Sequence, residues 1–454
     1  MSTADVRTAA ATEKATGPAA FTPEDATFWA DQGKRVAWRT LTVTTFCLLL
    51  AFATWFMVSA VAVKLSGIGF AFTTQQLFWI TAMPGLAAGI LRMVHTFLIP
   101  IFGTRATVAV STLLLLAPSI GWGLAVQSPG TPYWVFLVLA FVAGLGGGNF
   151  SSFMPSTSLF FPKRLQGTAL GVQAGIGNFG VSVTQFLTPA ILGVALLGSA
   201  LGAPQTFTAK DGKTTEIYLQ NAAFIWAPFI VCGALAAWIW LRSVPVKASF
   251  RQQLDIFGNK HTWLMTSLYV MTFGSFSGYS AAFPLLIDKV YGRFPGAPQP
   301  LKYAFLGPLI GAAIRALAGP LSDKLGGGRV TLVSGIGLCA CALGITPFTS
   351  PESLDQWPGF LALMLGLFFF SGVGNASTFK QMPMIFEPRQ AGGVIGFTSA
   401  IAAFGPFLFS VAFGAIIAAT GSPTAFFFGA AVFYALNVGL NWWFYTRKGA
   451  EKPC

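Results

Sequence analysis

Runs of about twenty apolar residues recur along the 454-residue chain, separated by short polar segments. A helix of roughly this length is needed to cross the hydrocarbon core of a bilayer. The pattern predicts twelve membrane-spanning helices, at residues 41–63, 74–99, 106–126, 133–160, 167–197, 222–242, 263–287, 303–321, 330–348, 358–379, 392–419 and 423–445. Composition agrees, because hydrophobic residues make up 54% and charged residues 9%, which excludes an ordinary soluble domain.

A polar segment precedes the first apolar run. Within it, Thr22 and Pro23 followed by two acids have the form of a helix start, with Thr22 as the capping residue. The stretch 22–39 mixes aromatic and cationic side chains, so the cytoplasmic segment 1–40 is expected to contain an amphipathic helix. Two positions suit this helix equally: flat on the membrane surface, or as an extension of the first span packed on other cytoplasmic parts.

The net charge is +13, from 27 Lys and Arg against 14 Asp and Glu. In a soluble protein this balance would suggest nucleic acid as a partner. Here the cations cluster at the ends of apolar runs, where they report orientation in the membrane. With both termini in the cytoplasm, 19 of the 27 cations fall in inner segments and six in outer ones. The partner is therefore the lipid bilayer rather than nucleic acid, and both termini are expected in the cytoplasm.

Two arginines are exceptions, because they lie inside apolar runs. Arg92 ends the run PGLAAGILR at 84–92, and Arg315 ends the similar run GPLIGAAIR at 307–315. An arginine within the bilayer costs several kcal/mol, about 2.5–3.5 on insertion scales, unless it faces a cavity or a partner. A guanidinium group is always charged and matches planar oxyanions. The pair predicts an anion site, and the alternative is pairing with a buried carboxylate or with helix carbonyls.

The two arginine runs are separated by 223 residues, about half the chain. This repeat predicts an all-α polytopic membrane protein of two pseudo-symmetric six-helix halves. The halves are placed at 41–242 and 263–446, with a cytoplasmic connecting loop at 243–262 and a cytoplasmic tail at 447–454. The longest outer loop, at 201–221, is expected to hold a short hairpin.

Glycines are concentrated in four of the predicted spans. The run GLGGGNF ends at Phe150, and a weaker echo, GVGNASTF, ends at Phe379. Glycines spaced along one helix face let another helix or a ligand approach the backbone. We expect gating or helix-packing roles for Gly167, Gly171, Gly175, Gly177, Gly180, Gly393 and Gly396. Asn178 lies among them, and a polar amide in an apolar span needs a partner.

Two motifs resemble those of known transporters. Residues 319–329, GPLSDKLGGGR, resemble the loop between spans 8 and 9 of the major facilitator superfamily, and 100–105 is a degenerate copy without the acid. Residues 167–181, GTALGVQAGIGNFGV, are similar to the nitrate signature of the nitrate/nitrite porter family. A second signature lies at 392–406, where Pro406 stands in place of an expected glycine. The resemblance covers nearly the whole chain.

This resemblance implies the major facilitator superfamily fold and a carrier of the bacterial inner membrane. The carrier would exchange nitrate for nitrite by alternating access, and a monomer would suffice. In the implied site, Arg92 and Arg315 clamp the anion, and Phe150 and Phe379 sandwich it. Asn178 and Tyr269 donate hydrogen bonds to it, and Phe273, one helical turn from Tyr269, lines the same wall. Nitrate is flat with its charge spread over three oxygens, so it suits stacking between rings with in-plane donors.

Antiport and proton symport are the alternatives for coupling. All 14 acidic residues fall in tails, loops or span ends, which favours antiport, because proton carriers usually bury an acid or a histidine. His95, three residues after Arg92, is the candidate proton carrier, with a structural or gating hydrogen bond as the other interpretation. The five cysteines are interpreted as core residues, and no cluster of His, Cys and acids suits a metal, haem or a nucleophile. Neither an enzyme nor a cofactor is expected.

Overall fold

The computed structural model describes residues 21–196, 198–244 and 254–454, which fold into twelve long helices and one two-stranded sheet. The helices are α1 Ala26–Ile68, α2 Thr74–His95, α3 Leu98–Ala125, α4 Tyr133–Ser158, α5 Lys163–Leu192, α6 Asn221–Trp240, α7 Lys260–Tyr291, α8 Pro300–Leu325, α9 Gly327–Phe348, α10 Leu354–Ile385, α11 Gln390–Thr420 and α12 Thr424–Thr446. Eleven of them are long and apolar enough to cross a membrane. The twelfth, α5, spans 30 residues but carries the glycines and polar side chains of the signature segment. The predicted helical class is confirmed.

The helices alternate in direction, so the described ends of the chain lie on one face, which we call the terminal face. The opposite face carries a hairpin between α5 and α6, and we call it the hairpin face. Strand β1 Gln205–Thr208 pairs antiparallel with β2 Thr214–Ile217, so the hairpin expected in this loop is present. Its turn contains Gly212 at φ 81°, a conformation that other residues rarely adopt.

The first helix starts three residues later than the sequence predicts. The Asp25 carboxylate accepts hydrogen bonds from the backbone N–H groups of Thr27 and Phe28, at 2.8 and 3.0 Å. Thr22 instead accepts the Asp25 N–H through its carbonyl oxygen, in a turn. The capping role predicted for Thr22 was therefore wrong. A short carboxylate side chain is at least as good a cap as threonine, and here it lies where the chain turns into the helix.

The amphipathic stretch extends the first span. Helix α1 continues from it without a break, and Trp29 packs against Phe160 and Phe161 in the loop between α4 and α5. Glu24 adds a polar contact, because its Oε1 atom accepts the backbone N–H of Lys163 at 2.8 Å. Of the two positions that suited this helix, the structure has the packed extension.

The two halves, α1–α6 and α7–α12, pack closely near the hairpin face. The side chain of Gln185 on α5 donates to the carbonyl oxygen of Ser280 on α7, at 3.0 Å. Helices α2 and α11 touch through their backbones, since a Cβ atom on Gly85 would lie 2.5 Å from the nitrogen of Phe407. The absence of a side chain at Gly85 is thus a condition for this close approach.

Near the terminal face the halves touch more loosely. A Cβ atom on Gly175 would lie 3.8 Å from the Ala316 side chain, and one on Gly396 would lie 3.9 Å from Thr96, which are ordinary van der Waals distances. Around Gly167, Gly171 and Gly392, no described atom beyond the adjoining residues and the nearby backbone of the same helix lies within 4 Å of such a Cβ. The two halves are therefore closed on the hairpin face and less tightly joined on the terminal face.

The tail after α12 is tied to the start of α7 at the terminal face. Glu451 forms an ion pair with Lys260 at 2.7 Å, and its other oxygen lies 3.2 Å from Nε2 of the buried His261. The Nδ1 atom of His261 lies 3.0 Å from the hydroxyl of Tyr445. Hydrogen bonds from Lys260 and His261 hold the pKa of the Glu451 carboxyl below its usual value, because they favour the charged form.

Candidate functional site

Arg92 lies on α2 with no exposed surface, where the two halves meet. Its Nε atom donates to the carbonyl oxygen of Gly147 on α4 at 2.9 Å, and its Nη1 atom donates to that of Ser399 on α11 at 2.8 Å. Its Nη2 atom is buried and makes no hydrogen bond. Helix carbonyls, which the sequence allowed as partners, thus accept hydrogen bonds from two of the three guanidinium nitrogens. The third nitrogen, Nη2, can still donate to a ligand.

Arg315 on α8 is the counterpart from the second half and is 7% exposed. Its guanidinium carbon lies 5.2 Å from the centre of the Phe379 ring, and its Nη1 atom is buried without a hydrogen bond. Ring contacts connect the two groups: Arg92 lies on Phe273, Arg315 lies on Phe379, and the Tyr269 ring contacts both phenylalanines. Within the described part of the chain, neither arginine forms an ion pair with a carboxylate. Both arginines that the sequence singled out are therefore buried, on helices of different halves.

Aromatic rings flank both guanidinium groups. The rings of Phe150 and Phe273 are nearly parallel, at 28°, with centroids 6.5 Å apart, and the Arg92 guanidinium lies 4.6 and 5.0 Å from them. Tyr269 stacks on Phe273 at 5.4 Å and also contacts Phe379 at 5.0 Å. The ring that faces Phe150 is therefore Phe273, whereas Phe379 belongs to a second group with Tyr269 and Arg315.

Local irregularities in the helices bring these side chains together. Helix α7 widens into a π-helical turn at Val270–Gly274, directly after Tyr269, and such turns often occur at functional sites. Gly405 on α11 lies against this turn, because its Cβ would be 2.2 Å from the Gly274 carbonyl oxygen. The proline that follows it, Pro406, lies in the first turn of a helical segment, where a missing N–H costs little.

Several buried polar groups on α5, α7, α10 and α11 make no hydrogen bond. They are both side-chain atoms of Asn178 and of Asn375, the hydroxyl of Tyr269 and the hydroxyl of Ser399. The Tyr269 hydroxyl lies near Arg315 and Ser399 without hydrogen-bond geometry to either. A buried polar group without a partner costs about 1–3 kcal/mol, so its retention here indicates that a polar ligand or water supplies the partner.

Two of these residues were not predicted to be site residues. Ser399 lies in the second signature segment, and Asn375 lies in the glycine echo before Phe379. Both were visible as polar residues within apolar spans, which is the signal that identified Asn178. Hydroxyl and amide side chains in spans are usually satisfied by helix carbonyls, so the sequence alone did not separate these two from the others.

The predicted glycines fall into different environments. Gly177 and Gly180 lie at close contact with α1, where a Cβ on Gly180 would be 2.2 Å from the Leu49 carbonyl oxygen. On α11, a Cβ on Gly393 would meet only the Ile256 side chain, at 3.5 Å. Gly167, Gly171, Gly175 and Gly396 lie at the looser contacts near the terminal face described above. Only the first pair is therefore positioned as helix-packing glycines within one half.

His95 points into the first half. Its Nδ1 atom lies 2.9 Å from the hydroxyl of Ser152 on α4, and a Cβ on Gly148 would lie 3.4 Å from its Nε2 atom. Three residues earlier on the same helix, Arg92 reaches across to the second half. The imidazole is thus held by α4 and directed away from the partner half.

A third cation, Lys380, follows Phe379 near the terminal face. It forms an ion pair with Asp323 of the loop motif at 2.5 Å, and both side chains are exposed to a large extent. Lys380 is therefore paired with the acid of the loop motif. The described acidic residues lie at helix ends, in loops or in the terminal segments, as the sequence indicated.

Comparison with known proteins places the chain in a family. The model of the Major Facilitator Superfamily matches residues 44–379. The chain is 65% identical over 434 residues to the probable nitrate/nitrite antiporter NarK2 of Thermus thermophilus, covering 96% of this chain and 97% of that protein. It is 39% identical to the nitrate/nitrite transporter NarU of Escherichia coli strain K12, with 94% and 95% covered.

Among solved structures, the fold is similar to that of a bacterial homologue of the human lysosomal transporter Spinster. The TM-score is 0.61 at 14% sequence identity, and the match covers 88% of this chain and 95% of the other. This likeness bears on the fold alone. Together with the family match and the extensive identity to nitrate/nitrite transporters, it leads to one conclusion: the chain belongs to the Major Facilitator Superfamily and, within it, to the nitrate/nitrite porter family.

Proposed function

We propose that the protein is a nitrate/nitrite antiporter of the bacterial inner membrane, which imports nitrate in exchange for nitrite. The observation that carries this proposal is the pair Arg92 and Arg315, one from each half, each with a buried N–H nitrogen that makes no hydrogen bond. Relatives that cover almost the whole chain are named as nitrate/nitrite antiporters or transporters, which supports the same substrates here.

The chemistry of the site suits a flat monovalent oxyanion. Its oxygens accept in-plane hydrogen bonds from guanidinium and amide groups, and its faces stack on rings. The unbonded nitrogens of Arg92 and Arg315 supply charged donors, Asn178 and Tyr269 supply neutral ones, and Phe150 with Phe273 supplies ring faces. A tetrahedral dianion such as phosphate would need more charge compensation. Nitrite is also planar and smaller, so one site can hold both ions.

Two fixed cations give a reason for obligatory exchange. When the halves close around an anion, its negative charge lies between Arg92 and Arg315 and offsets their repulsion. Closure without an anion would bring two like charges together out of water, at a cost that grows as the local dielectric falls. The carrier therefore changes face only when it is loaded, and influx of one anion requires efflux of another.

The two halves would rock about the site. Close packing near the hairpin face and looser contacts near the terminal face suit a state that is closed on the first and ready to open on the second. By the excess of cations in the inner segments, the terminal face is the cytoplasmic one and both termini lie there. A single chain holds both arginines, so a monomer suffices for transport.

Proton symport is the competing proposal, and His95 is the residue that it would need. The hydrogen bond of His95 to Ser152, within the first half, supports a structural role instead. The deciding experiment is uptake of labelled nitrate into proteoliposomes, with and without internal nitrite, while an internal dye follows pH. Uptake that needs internal nitrite and leaves pH unchanged supports exchange. Uptake into vesicles without nitrite, accompanied by acidification, would refute it.

A further inference from the structure

Asn375 on α10 shares an unusual property with Asn178. Both are buried, and among the buried asparagines in the described ranges they alone lack a hydrogen bond on both side-chain atoms. Asn437 shows the ordinary situation, because its Oδ1 accepts from Ser267 at 2.8 Å and its Nδ2 donates to the Phe433 carbonyl at 2.9 Å. An amide kept in a membrane span without either partner indicates that something polar meets it during the working cycle.

The position of Asn375 follows from the residues above and below it on the same helix face. One turn earlier, Gly372 touches α8, since its Cβ would lie 2.4 Å from the Gly311 carbonyl oxygen. One turn later, the Phe379 ring lies 5.2 Å from the guanidinium of Arg315, which is one turn beyond Gly311. Residues three and four apart share a helix face, so Asn375 lies on the strip of α10 that faces α8 beside Arg315.

The same contacts give the level of Asn375 relative to Arg315 along the direction of the two helices. Helices α8 and α10 run in the same direction, from the hairpin face to the terminal face. Asn375 comes three residues after Gly372, and Arg315 comes four after Gly311, so the two lie at nearly the same level. The Arg315 side chain leans back toward the start of its helix, as helical side chains do, and hence toward the hairpin side of this level.

We infer that Asn375 is an anion-binding residue of the second half. With an anion bound, its Nδ2 atom donates a hydrogen bond to an anion oxygen, and its Oδ1 atom accepts one of the two Nη1 hydrogens of Arg315, which leaves the other Nη1 hydrogen for the anion. This inference rests on the proposed function. It adds an amide of the second half to a site for which the proposed function names only the Asn178 amide of the first.

The amide also bears on which anion is preferred. When Arg315 donates to the Oδ1 atom of Asn375, the orientation of the amide is fixed. Only its Nδ2 atom can then face the anion, because the carbonyl oxygen would repel it. A three-oxygen planar ion can meet this donor while two other oxygens face the arginines. The two-oxygen ion has one oxygen fewer, so at most two of these three groups can each meet an oxygen of their own. Asn375 should therefore contribute more to nitrate binding than to nitrite binding.

The test compares Asn375→Leu with Asn437→Leu in the purified full-length protein. Because the Asn375 amide has no partner in the protein, its replacement by a side chain of similar volume should leave the Tm unchanged or raise it. The control removes two formed hydrogen bonds and should lower the Tm. In proteoliposomes, Asn375→Leu should raise the KM for nitrate about tenfold and that for nitrite less, with kcat within about twofold of wild type.

Nitrate binding measured by thermal stability, without transport, distinguishes a failure of the proposed function from a failure of the inference about Asn375. Wild-type protein should gain thermal stability on addition of nitrate, and the Asn375→Leu protein should need about tenfold more nitrate for the same gain. If wild type shows no gain with nitrate or nitrite, the proposed function fails. If nitrate stabilises the wild type but the KM of Asn375→Leu is unchanged, this inference is wrong. It is also wrong if Asn375→Leu lowers the Tm as Asn437→Leu does and reduces only kcat, because Asn375 is then structural. Asn375→Ala gives the same readouts should the leucine variant not fold.

Discussion

Lys210, in the hairpin of the first half, is bound to Asp288 near the end of α7 in the second half. Its Nζ atom lies 2.9 Å from the Asp288 carboxylate and 2.9 Å from the Asp288 carbonyl oxygen. The ammonium group thus caps the carbonyl end of a helix, where a positive charge is favoured. A Cβ on Gly292 would lie 2.5 Å from the Nζ atom, so the fit depends on the glycine that follows α7.

This contact crosses between halves on their closed face, so it should bias the conformational equilibrium. We expect Lys210→Ala to increase the population of molecules open on the hairpin face by up to about fivefold. The Lys210 side chain is 54% exposed, and an exposed ion pair contributes at most about 1 kcal/mol. The measurement is the labelling rate of a cysteine introduced as Ser280→Cys, in a background without the five native cysteines. Lys213→Ala is the matched control, because Lys213 forms its ion pair with Asp211 in the same hairpin. Equal labelling rates in the two variants would contradict a role in closure.

The arginines should not tolerate lysine. Arg92 uses two nitrogens for carbonyls of different helices and leaves a third for the anion, a division that a single ammonium group cannot reproduce. We expect Arg92→Lys and Arg315→Lys to reduce kcat/KM for nitrate exchange by at least about 100-fold, from the loss of charge-assisted hydrogen bonds worth about 1.5–3 kcal/mol each. Arg447→Lys, at a residue that stacks on Trp443 outside the site, should transport normally. Wild-type exchange in either site variant would refute the clamp.

His95 should be needed for stability rather than for proton movement. Its bond to Ser152 ties α2 to α4, so His95→Ala should destabilise the protein by about 0.5–1.5 kcal/mol. His95→Asn keeps a polar group near the Nδ1 position and should recover much of this loss. In both variants nitrate/nitrite exchange should proceed without a change of internal pH, followed with a trapped dye. Loss of a proton flux that wild type shows would instead establish symport.

Two glycines of α5 should respond differently to a methyl group. Gly180→Ala would place its Cβ against the backbone of α1, which cannot yield as a flexible side chain does, and should cost about 1–3 kcal/mol of stability. Gly171→Ala would meet no described atom within 4 Å apart from the adjoining residues and the nearby backbone of its own helix, and it should be neutral or slightly stabilising, since alanine favours helix. Thermal unfolding of both variants checks this. If Gly171 closes against the partner half during transport, Gly171→Ala should slow turnover at an unchanged Tm.

The N-terminal extension should stabilise the start of α5. Pro162 provides no side-chain cap there, and the Glu24 carboxylate takes that role by accepting the Lys163 N–H. Glu24→Ala should therefore lower stability by about 0.5–2 kcal/mol, the usual cost of losing a helix cap, and Glu24→Gln by less. Asp31→Ala, on the same extension, is the control. A Tm that is equal for Glu24→Ala and Asp31→Ala would argue against the cap.

Much of this protein follows from its sequence because the bilayer imposes strong local rules. Apolar runs determined the number of helices, because a membrane span must be apolar and must satisfy its own backbone. The cost of a buried charge singled out Arg92 and Arg315 before any contact was known. The same logic marked Asn178, since a polar amide in an apolar span needs a partner.

The tertiary structure decided what each polar residue meets. The sequence could not tell that Ser399 offers its carbonyl to Arg92, that Phe273 rather than Phe379 faces Phe150, or that the Asn375 amide makes no hydrogen bond. The first two relations join residues of different halves, 307 positions apart for Arg92 and Ser399, and depend on how the two halves pack. Local patterns report the cost of placing a group in the membrane, whereas the partner that offsets this cost is set by the approach of distant helices.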